Sequence, residues 1–251
     1  MGEFGILKPD RFGDWMNNGG WGDTCKRCRL LSETRRGSPI WGVGPMDADL
    51  MLVGEAPGKS EELEGSPFVG RSGEFLDDVF EILDIQRENL RLTNAVMCRP
   101  TEEDNPNRNR EPTDPEIKEC KERLLQEIYH VDPIVIVAMG SWACRALLGN
   151  TKMSSVRGEM THFSIPSREK GKLDYTVLVT WHPSYVLRKL DSRTNEYPPI
   201  KGGHHLATGR HPYYQFVWSL IRAQATIDFQ RALYYGEPIT DFMAEFVRYV
   251  V

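Results

Sequence analysis

Four cysteines in the first half of the chain have the spacing of metal ligands. Two residues separate Cys25 from Cys28, and Cys98 and Cys120 follow later in the chain. Short cysteine pairs of this kind are typical of zinc and iron–sulfur sites. Four thiolates predict either a zinc ion or a [4Fe–4S] cluster, with a redox-active dithiol as the alternative for the first pair. The fifth cysteine, Cys144, has apolar neighbours and is interpreted as a buried thiol.

A glycine-rich segment carries candidate ligand-binding residues. Gly54, Glu55 and Ala56 open it, and Phe68 follows in a second glycine-flanked stretch. Glycines let a backbone approach a ligand closely, and an aromatic ring in such a loop is placed to stack on a flat nucleobase. The alternatives are a strand-to-helix turn whose glycines serve geometry alone, and a phenylalanine of the core.

Asn94 ends an apolar segment and offers a hydrogen-bond donor and an acceptor side by side. This pair matches the edge of uracil, where N3–H and O4 are neighbours, whereas cytosine presents the reversed pattern. The alternative is a structural asparagine that bonds loop backbone.

The segment 182–188 reads His-Pro-Ser-Tyr-Val-Leu-Arg and combines several DNA-directed groups. At the tip of a strand, His182 can donate to a developing anion, and Ser184 with nearby amides can bind phosphate. An apolar wedge with a cation beside it is predicted to fill the gap left by a flipped nucleotide. The wedge and its cation are Tyr185, Val186, Leu187 and Arg188.

Apolar runs and helical periodicity predict the framework that positions these residues. Strands are expected at 50–53, 90–96, 133–139 and 176–180, and helices at 74–84, 116–129, 140–148 and 213–225. Their alternation predicts an α/β fold with a central, mostly parallel four-stranded sheet and helices on both faces. Because ligands bind at the carboxyl ends of such strands, Glu55, Asn94 and His182 are expected to share one site.

Three regions are predicted: an N-terminal arm at 1–24, one domain at 25–225 and a helical extension at 226–251. We expect a cytoplasmic protein, since no apolar run is long enough for a membrane span and no signal peptide is evident. Thiols stay reduced in that compartment.

The net charge of −5 argues against a generic nucleic-acid binder but does not exclude a local basic groove. The cations in or beside the loops above are Arg35, Arg36, Arg71, Arg99, Arg108, Arg110, Arg157, Arg188 and Lys189.

Taken in order, these motifs resemble the iron–sulfur uracil-DNA glycosylases, family four of the uracil-DNA glycosylase superfamily. The resemblance extends from about residue 25 to residue 225. The matching stretches are Cys25-x-x-Cys28, Gly54-Glu-Ala-Pro-Gly58, Gly65-Ser-Pro-Phe-Val-Gly70, Thr93-Asn94, Cys98-Arg-Pro100, Cys120 and His182-Pro-Ser-Tyr-Val-Leu-Arg188.

The resemblance implies an enzyme that hydrolyses the N-glycosidic bond of flipped-out deoxyuridine in single- or double-stranded DNA, which begins base-excision repair. It implies that Phe68 stacks on uracil, that Asn94 reads its edge and that His182 stabilises the departing anion. Gly54 and Ala56 would lie beside the sugar and the attacking water. It also implies a structural [4Fe–4S] cluster, with zinc as the second choice, on Cys25, Cys28, Cys98 and Cys120.

Several departures from the family pattern leave room for other functions. Ala56 stands where better-known uracil glycosylases have Asp, so we predict that the nearby carboxylate of Glu55 orients the water or the loop. The loop at 102–110 is longer than usual, and residues 191–210 and the tail after 225 are additions that could contact DNA or a replication or repair protein. The alternatives are a protein that binds uracil-DNA without turnover and a partner-recruiting module on the same fold.

Overall fold

The computed structural model describes residues 25–34, 36–149, 151–167, 171–190, 197–198 and 209–236. Arg35, the predicted arm at 1–24, most of the 191–210 segment and the tail beyond Gly236 lie outside this part. In the part described, no helix is both long and apolar enough to cross a bilayer. In chain order the elements are α1 (Leu30–Glu33), β1 (Leu50–Gly54), α2 (Lys59–Glu64), α3 (Arg71–Ile82), β2 (Arg91–Asn94), α4 (Asp114–Val131), β3 (Val135–Met139), α5 (Ser141–Leu148), α6 (Met153–Val156), β4 (Met160–Ser167), β5 (Gly171–Thr180), α7 (Pro183–Lys189) and α8 (Pro212–Tyr235).

The sheet has five strands in the order β2-β1-β3-β5-β4, and not the four predicted. The four predicted strands pair in parallel, and β4 adds an antiparallel edge on β5. Only alternate residues of β4 are buried, among them Phe163 and Ile165. An edge strand with one buried face and a proline at Pro166 has no continuous apolar run, which explains why periodicity missed it.

Helices cover both faces of the sheet, as predicted. Successive residues of β1 point to opposite sides, so that Leu52 packs in a core with Phe75 of α3 and Phe216 of α8. Met51 packs in a second core with Leu124 of α4. Strands buried on both faces read as continuous apolar runs, which is why β1 and β3 were recognisable from sequence.

Several helix boundaries differ from prediction. Helix α4 begins at Asp114, two residues before the predicted start, because Thr113 forms a capping box with Glu116. Helix α8 is continuous from Pro212 to Tyr235, so the boundary expected after residue 225 falls inside one element. The segment after His182, predicted as a loop, is the short helix α7. A proline at its first position favours this start.

Candidate active site

A cavity of about 490 Å³ opens at the carboxyl edge of the sheet. It brings together the three loops that were predicted to carry chemistry, since β1, β2 and β5 all end at this edge. The predicted residues that line it are Glu55, Ala56, Phe68, Asn94, His182, Ser184 and Arg188.

Gly54 lets Phe68 and Asn94 approach each other at the cavity floor. A Cβ atom at Gly54 would lie 2.4 Å from Asn94 Oδ1 and 2.5 Å from Phe68 Cζ. Both distances are too short for any side chain, so glycine is required here by close approach. Phe68 packs in the core and also lines the cavity, so a place in the core does not exclude contact with a ligand.

The backbone of Asn94 is held by a hydrogen bond, and its side-chain amide remains available to a ligand. The residue is buried at the end of β2, opposite Gly54 in the β1 register. Its carbonyl oxygen accepts a 2.5 Å hydrogen bond from Arg123 Nη2. Among the described residues, no group hydrogen-bonds the side-chain amide of Asn94. Donor and acceptor therefore both remain for a ligand in the cavity.

His182 is the N-cap of α7, and its hydrogen bond defines its tautomer. The backbone N–H of Ser184 donates to His182 Nδ1 at 3.2 Å, so Nδ1 carries the lone pair and Nε2 carries the proton. Burial, with the positive charge of Arg188 beside it, lowers the pKa of His182 to about 4. At neutral pH the ring is an uncharged Nε2–H donor.

Glu55 lies at the N-terminus of α5. Its Oε1 accepts a 3.2 Å hydrogen bond from the backbone N–H of Trp142. Gly140 makes room for this contact, because a Cβ there would lie 2.3 Å from Glu55 Oε1 and 2.9 Å from His182 Cβ. Burial raises the pKa of Glu55 to about 7, and the nearby charge of Glu111 adds to the effect. The carboxyl group therefore changes protonation near neutral pH.

Helix α7 changes the interpretation of the predicted wedge. Val186 is fully buried in the core, so its expected contact with DNA is contradicted by its position. Helical spacing turns Pro183 and Val186 to the same inner face, whereas a wedge would need consecutive residues to project together. Tyr185 instead stacks on Trp181 with ring centroids 4.4 Å apart, Leu187 is half-buried, and Arg188 is exposed.

Several of the cations that could form a local basic groove are paired with carboxylates. Arg99 is buried and pairs with Glu62 at 2.9 Å, and Arg110 pairs with Glu116 at 2.6 Å. Both cations are therefore held by carboxylates of the fold. Within the part of the chain that the structure describes, the predicted cations without a carboxylate partner are Arg36, Arg71, Arg157, Arg188 and Lys189.

Comparison with known proteins identifies the family of this chain. Residues 41–198 match the family model of the uracil DNA glycosylase superfamily. The chain is 37% identical over 174 residues to the type-4 uracil-DNA glycosylase of Thermotoga maritima, which spans 68% of this chain and 81% of that protein. The corresponding enzyme of Saccharolobus solfataricus is 36% identical over 171 residues, spanning 65% of this chain and 72% of its own. That of Archaeoglobus fulgidus is 33% identical over 169 residues, spanning 65% and 78%.

The chain belongs to the type-4 uracil-DNA glycosylases. The family match contains every loop that lines the cavity, from Glu55 to Arg188. It also contains Cys98 and Cys120 but begins after Cys25 and Cys28.

The four cysteines that were predicted to be metal ligands lie near one another. Cys98 is buried with Leu30 of α1, and Cys25 and Cys28 pack against them. Burial raises the pKa of the thiols of Cys28, Cys98 and Cys120, and neighbouring thiols add to the effect. Four neighbouring thiols fit iron–sulfur or zinc chemistry in donor type. No three of the described His, Cys, Asp or Glu side chains, however, have the spacing of a formed metal site.

Sequence reasoning missed the part that the 101–112 loop plays in the cavity. Asn109, Arg110 and Glu111 line its wall. Arg99 fixes this loop, because its Nε donates to Asn109 Oδ1 at 2.7 Å and its Nη2 donates to the Asn107 carbonyl at 3.1 Å. The unusual length of the loop was the only sequence signal that marked it.

Proposed function

We propose that this type-4 family member hydrolyses the N-glycosidic bond of deoxyuridine flipped out of DNA, which releases uracil and begins base-excision repair. The observation that carries the proposal is the cavity in which the ring of Phe68, the free amide of Asn94 and the neutral imidazole of His182 meet. Phe68 supplies a surface on which a base can stack, Asn94 can hydrogen-bond the edge of the base, and His182 can donate to a leaving anion.

Base recognition uses Phe68 and Asn94. Uracil stacks on the phenyl ring, and the Asn94 amide accepts from N3–H and donates to O4. Cytosine presents the opposite order of donor and acceptor at this edge. A buried amide that remains unpaired against cytosine disfavours that base.

His182 stabilises the leaving group. As the C1′–N1 bond breaks, its electron pair goes to uracil and the sugar becomes oxocarbenium-like. The Nε2–H of His182 donates to the uracil oxygen on which negative charge develops. A donor already oriented and uncharged before the reaction needs no reorganisation in the transition state, and removing such a donor typically costs about 10²–10³ in rate.

Glu55 orients the attacking water. Its ionised carboxylate accepts a hydrogen bond from water, and it takes the proton that the water loses when its oxygen bonds to C1′. Gly54 and Ala56 leave room beside the sugar because neither has a bulky side chain. With a pKa of about 7, Glu55 is half ionised near neutral pH and can both accept and release a proton.

The DNA backbone binds at the rim of the cavity. Ser184 and Arg188 line it, and the Arg188 guanidinium lies 3.4 Å from Ser184 Oγ. Tyr185 and Leu187 on the same short helix provide the apolar contacts, without Val186. Phosphate contacts by exposed cations release counterions, so binding to single- or double-stranded DNA is expected to weaken steeply with salt.

A structural [4Fe–4S] cluster on Cys25, Cys28, Cys98 and Cys120 completes the proposal. Bound to these cysteines, the cluster would tie the Cys25–Cys28 turn to the loop after β2 and to α4, and it would take no part in bond cleavage. Anaerobically purified protein is expected to be brown, with absorbance near the roughly 400 nm typical of such clusters and iron that is lost in a Cys98→Ser variant. Colourless protein that contains zinc would replace the iron–sulfur assignment and leave the glycosylase proposal standing.

The function is tested with an oligonucleotide that contains a single uracil, followed by alkali treatment. Turnover with alkali-labile breaks is expected, and His182→Ala is expected to slow single-turnover cleavage by about 10²–10³-fold. A complex that survives SDS would favour uracil-DNA binding without turnover. Neither cleavage nor tight binding would favour a module that recruits a replication or repair protein, through the 191–210 segment or the tail.

A further inference from the structure

Phe68 has a backbone conformation that a phenylalanine rarely adopts. Its φ angle is +55°, in the left-handed region where a Cβ atom is disfavoured. The residue is buried and ordered between two glycine-containing turns. A strained backbone of this kind persists only when surrounding groups hold it in place.

Arg87 holds the carbonyl group of Phe68. Its Nη2 donates to Phe68 O at 2.8 Å, and its Nη1 lies 2.6 Å from Asp77 Oδ1 on helix α3. The planar guanidinium fork binds both acceptors at once, which an ammonium group cannot do with the same geometry. Arg87 does not line the cavity, so it has no contact with a bound base.

Two further contacts complete the support of this loop. A Cβ atom at Gly73 would lie 1.8 Å from Phe68 O, so the carbonyl is packed tightly against α3. Glu61 accepts from the backbone N–H of Gly70 at 3.1 Å and from that of Gly58 at 3.0 Å. The carboxylate thus ties the turn after Phe68 to the loop that follows β1.

We propose that Arg87 is a positioning residue for base recognition, which holds the Phe68 backbone in its left-handed conformation and thereby keeps the phenyl ring at the cavity floor. With the carbonyl directed to Arg87 and Gly73, the ring projects the other way, towards Gly54 and Asn94. Without the guanidinium, the backbone is free to relax out of the left-handed region, and the ring moves with it. The proposal rests on the proposed function, because the ligand of Phe68 is the excised uracil.

The test measures inhibition by free uracil and the single-turnover cleavage rate in Arg87→Met and Arg87→Lys. Loss of a hydrogen bond from a charged donor is expected to weaken uracil inhibition and slow cleavage together, each by about tenfold in Arg87→Met. Arg87→Lys keeps the positive charge and a single donor nitrogen. It is therefore expected to recover part of the uracil inhibition and part of the cleavage rate. Affinity for uracil-free DNA should stay within about twofold, since Arg87 lies outside the cavity.

Arg145→Met is the matched control. Arg145 pairs with Asp114 at 2.6 Å, and its side chain is 43% exposed against 30% for Arg87. The control removes a similar ion pair remote from Phe68, so uracil inhibition should be unchanged. A general loss of stability would affect the two methionine variants alike in thermal unfolding.

A double-mutant cycle with Phe68→Ala separates positioning from other roles. If Arg87 acts through the Phe68 ring, Arg87→Met adds no further loss in the Phe68→Ala background. Two results would overturn the proposal, provided that the wild-type protein still excises uracil. One is a loss from Arg87→Met in the Phe68→Ala background as large as in the wild-type background. The other is wild-type uracil inhibition and cleavage in Arg87→Met alone. Wild-type protein that releases no uracil overturns both this proposal and the proposed function.

Discussion

The two groups that recognise the base are supported in opposite ways. Asn94 ends a buried strand, and its carbonyl is held by Arg123, whose own charge is paired with Glu127 in the core at 2.6 Å. Phe68 lies on a strained loop and is held by Arg87, which shares a half-exposed ion pair with Asp77. Asn94, which reads the base edge, is therefore supported by a buried ion pair of the core. Phe68, on which the base stacks, is supported by a half-exposed ion pair at the surface.

This difference has an energetic consequence. Removing one partner of a buried ion pair leaves the other charged without compensation, whereas an exposed pair contributes little to folding. Glu127 also accepts from Arg91 Nε at 2.8 Å and from Thr93 Oγ1 at 2.9 Å, so one carboxylate connects α4 to much of β2. Substitution of the groups that support Asn94 should therefore affect folding, and substitution of the group that supports Phe68 should affect binding.

The largest expected effect is on folding, in Arg123→Met. The variant leaves Glu127 with Arg91 as its remaining cation and the Asn94 carbonyl without its donor, so the free energy of unfolding should fall by about 3 kcal/mol. Arg87→Met should lose less than about 1 kcal/mol. Urea denaturation of both variants measures the contrast. Equal losses in the two variants would show that Arg123 and Arg87 contribute alike to folding, which contradicts the comparison.

The next effect is on catalysis, in Asn94→Ala. The Arg123 contact is with the Asn94 backbone and survives the change, so the melting temperature should stay within a few degrees of wild type. Loss of both hydrogen bonds to uracil should lower kcat/KM by about 10²-fold, or about 2.7 kcal/mol. Kinetics on uracil-containing DNA together with calorimetry separate the two readouts. A large drop in melting temperature would place the side chain, and not only the backbone, in the folding core.

The smallest expected effect is on the pH dependence of cleavage, which involves neither Arg123 nor Arg87. Burial raises the pKa of Glu55 to about 7, so the ionised form that orients water increases as pH rises through that value. Single-turnover cleavage should increase about tenfold from pH 6 to pH 8 and then level off. His182, whose pKa is lowered to about 4, stays neutral throughout and adds no second limb.

Glu55→Gln is the control for that profile. Its cleavage rate should be lower at pH 8 and nearly independent of pH between 6 and 8. A wild-type slope that persists in Glu55→Gln would assign the titration to another group and remove Glu55 from the mechanism.

The sequence alone determined the framework and the places of the reacting groups. Strands β1 and β3 are continuous apolar runs, and Asn94 and His182 each follow a strand, so the parallel sheet and its shared edge were predictable. The family followed from motifs that contain these same residues. Edge strand β4 was not predictable in this way, because half of its residues face away from the core.

Only the tertiary structure decided how these groups are held. Val186 is part of the core because α7 is a helix, and no feature of the apolar run at 185–187 distinguished a helix from an extended wedge. Arg87 lies 19 residues from Phe68, and Arg123 lies 29 residues from Asn94. Such pairings depend on how helices pack against the sheet, and hydrophobic periodicity within one segment carries no information about partners that far along the chain.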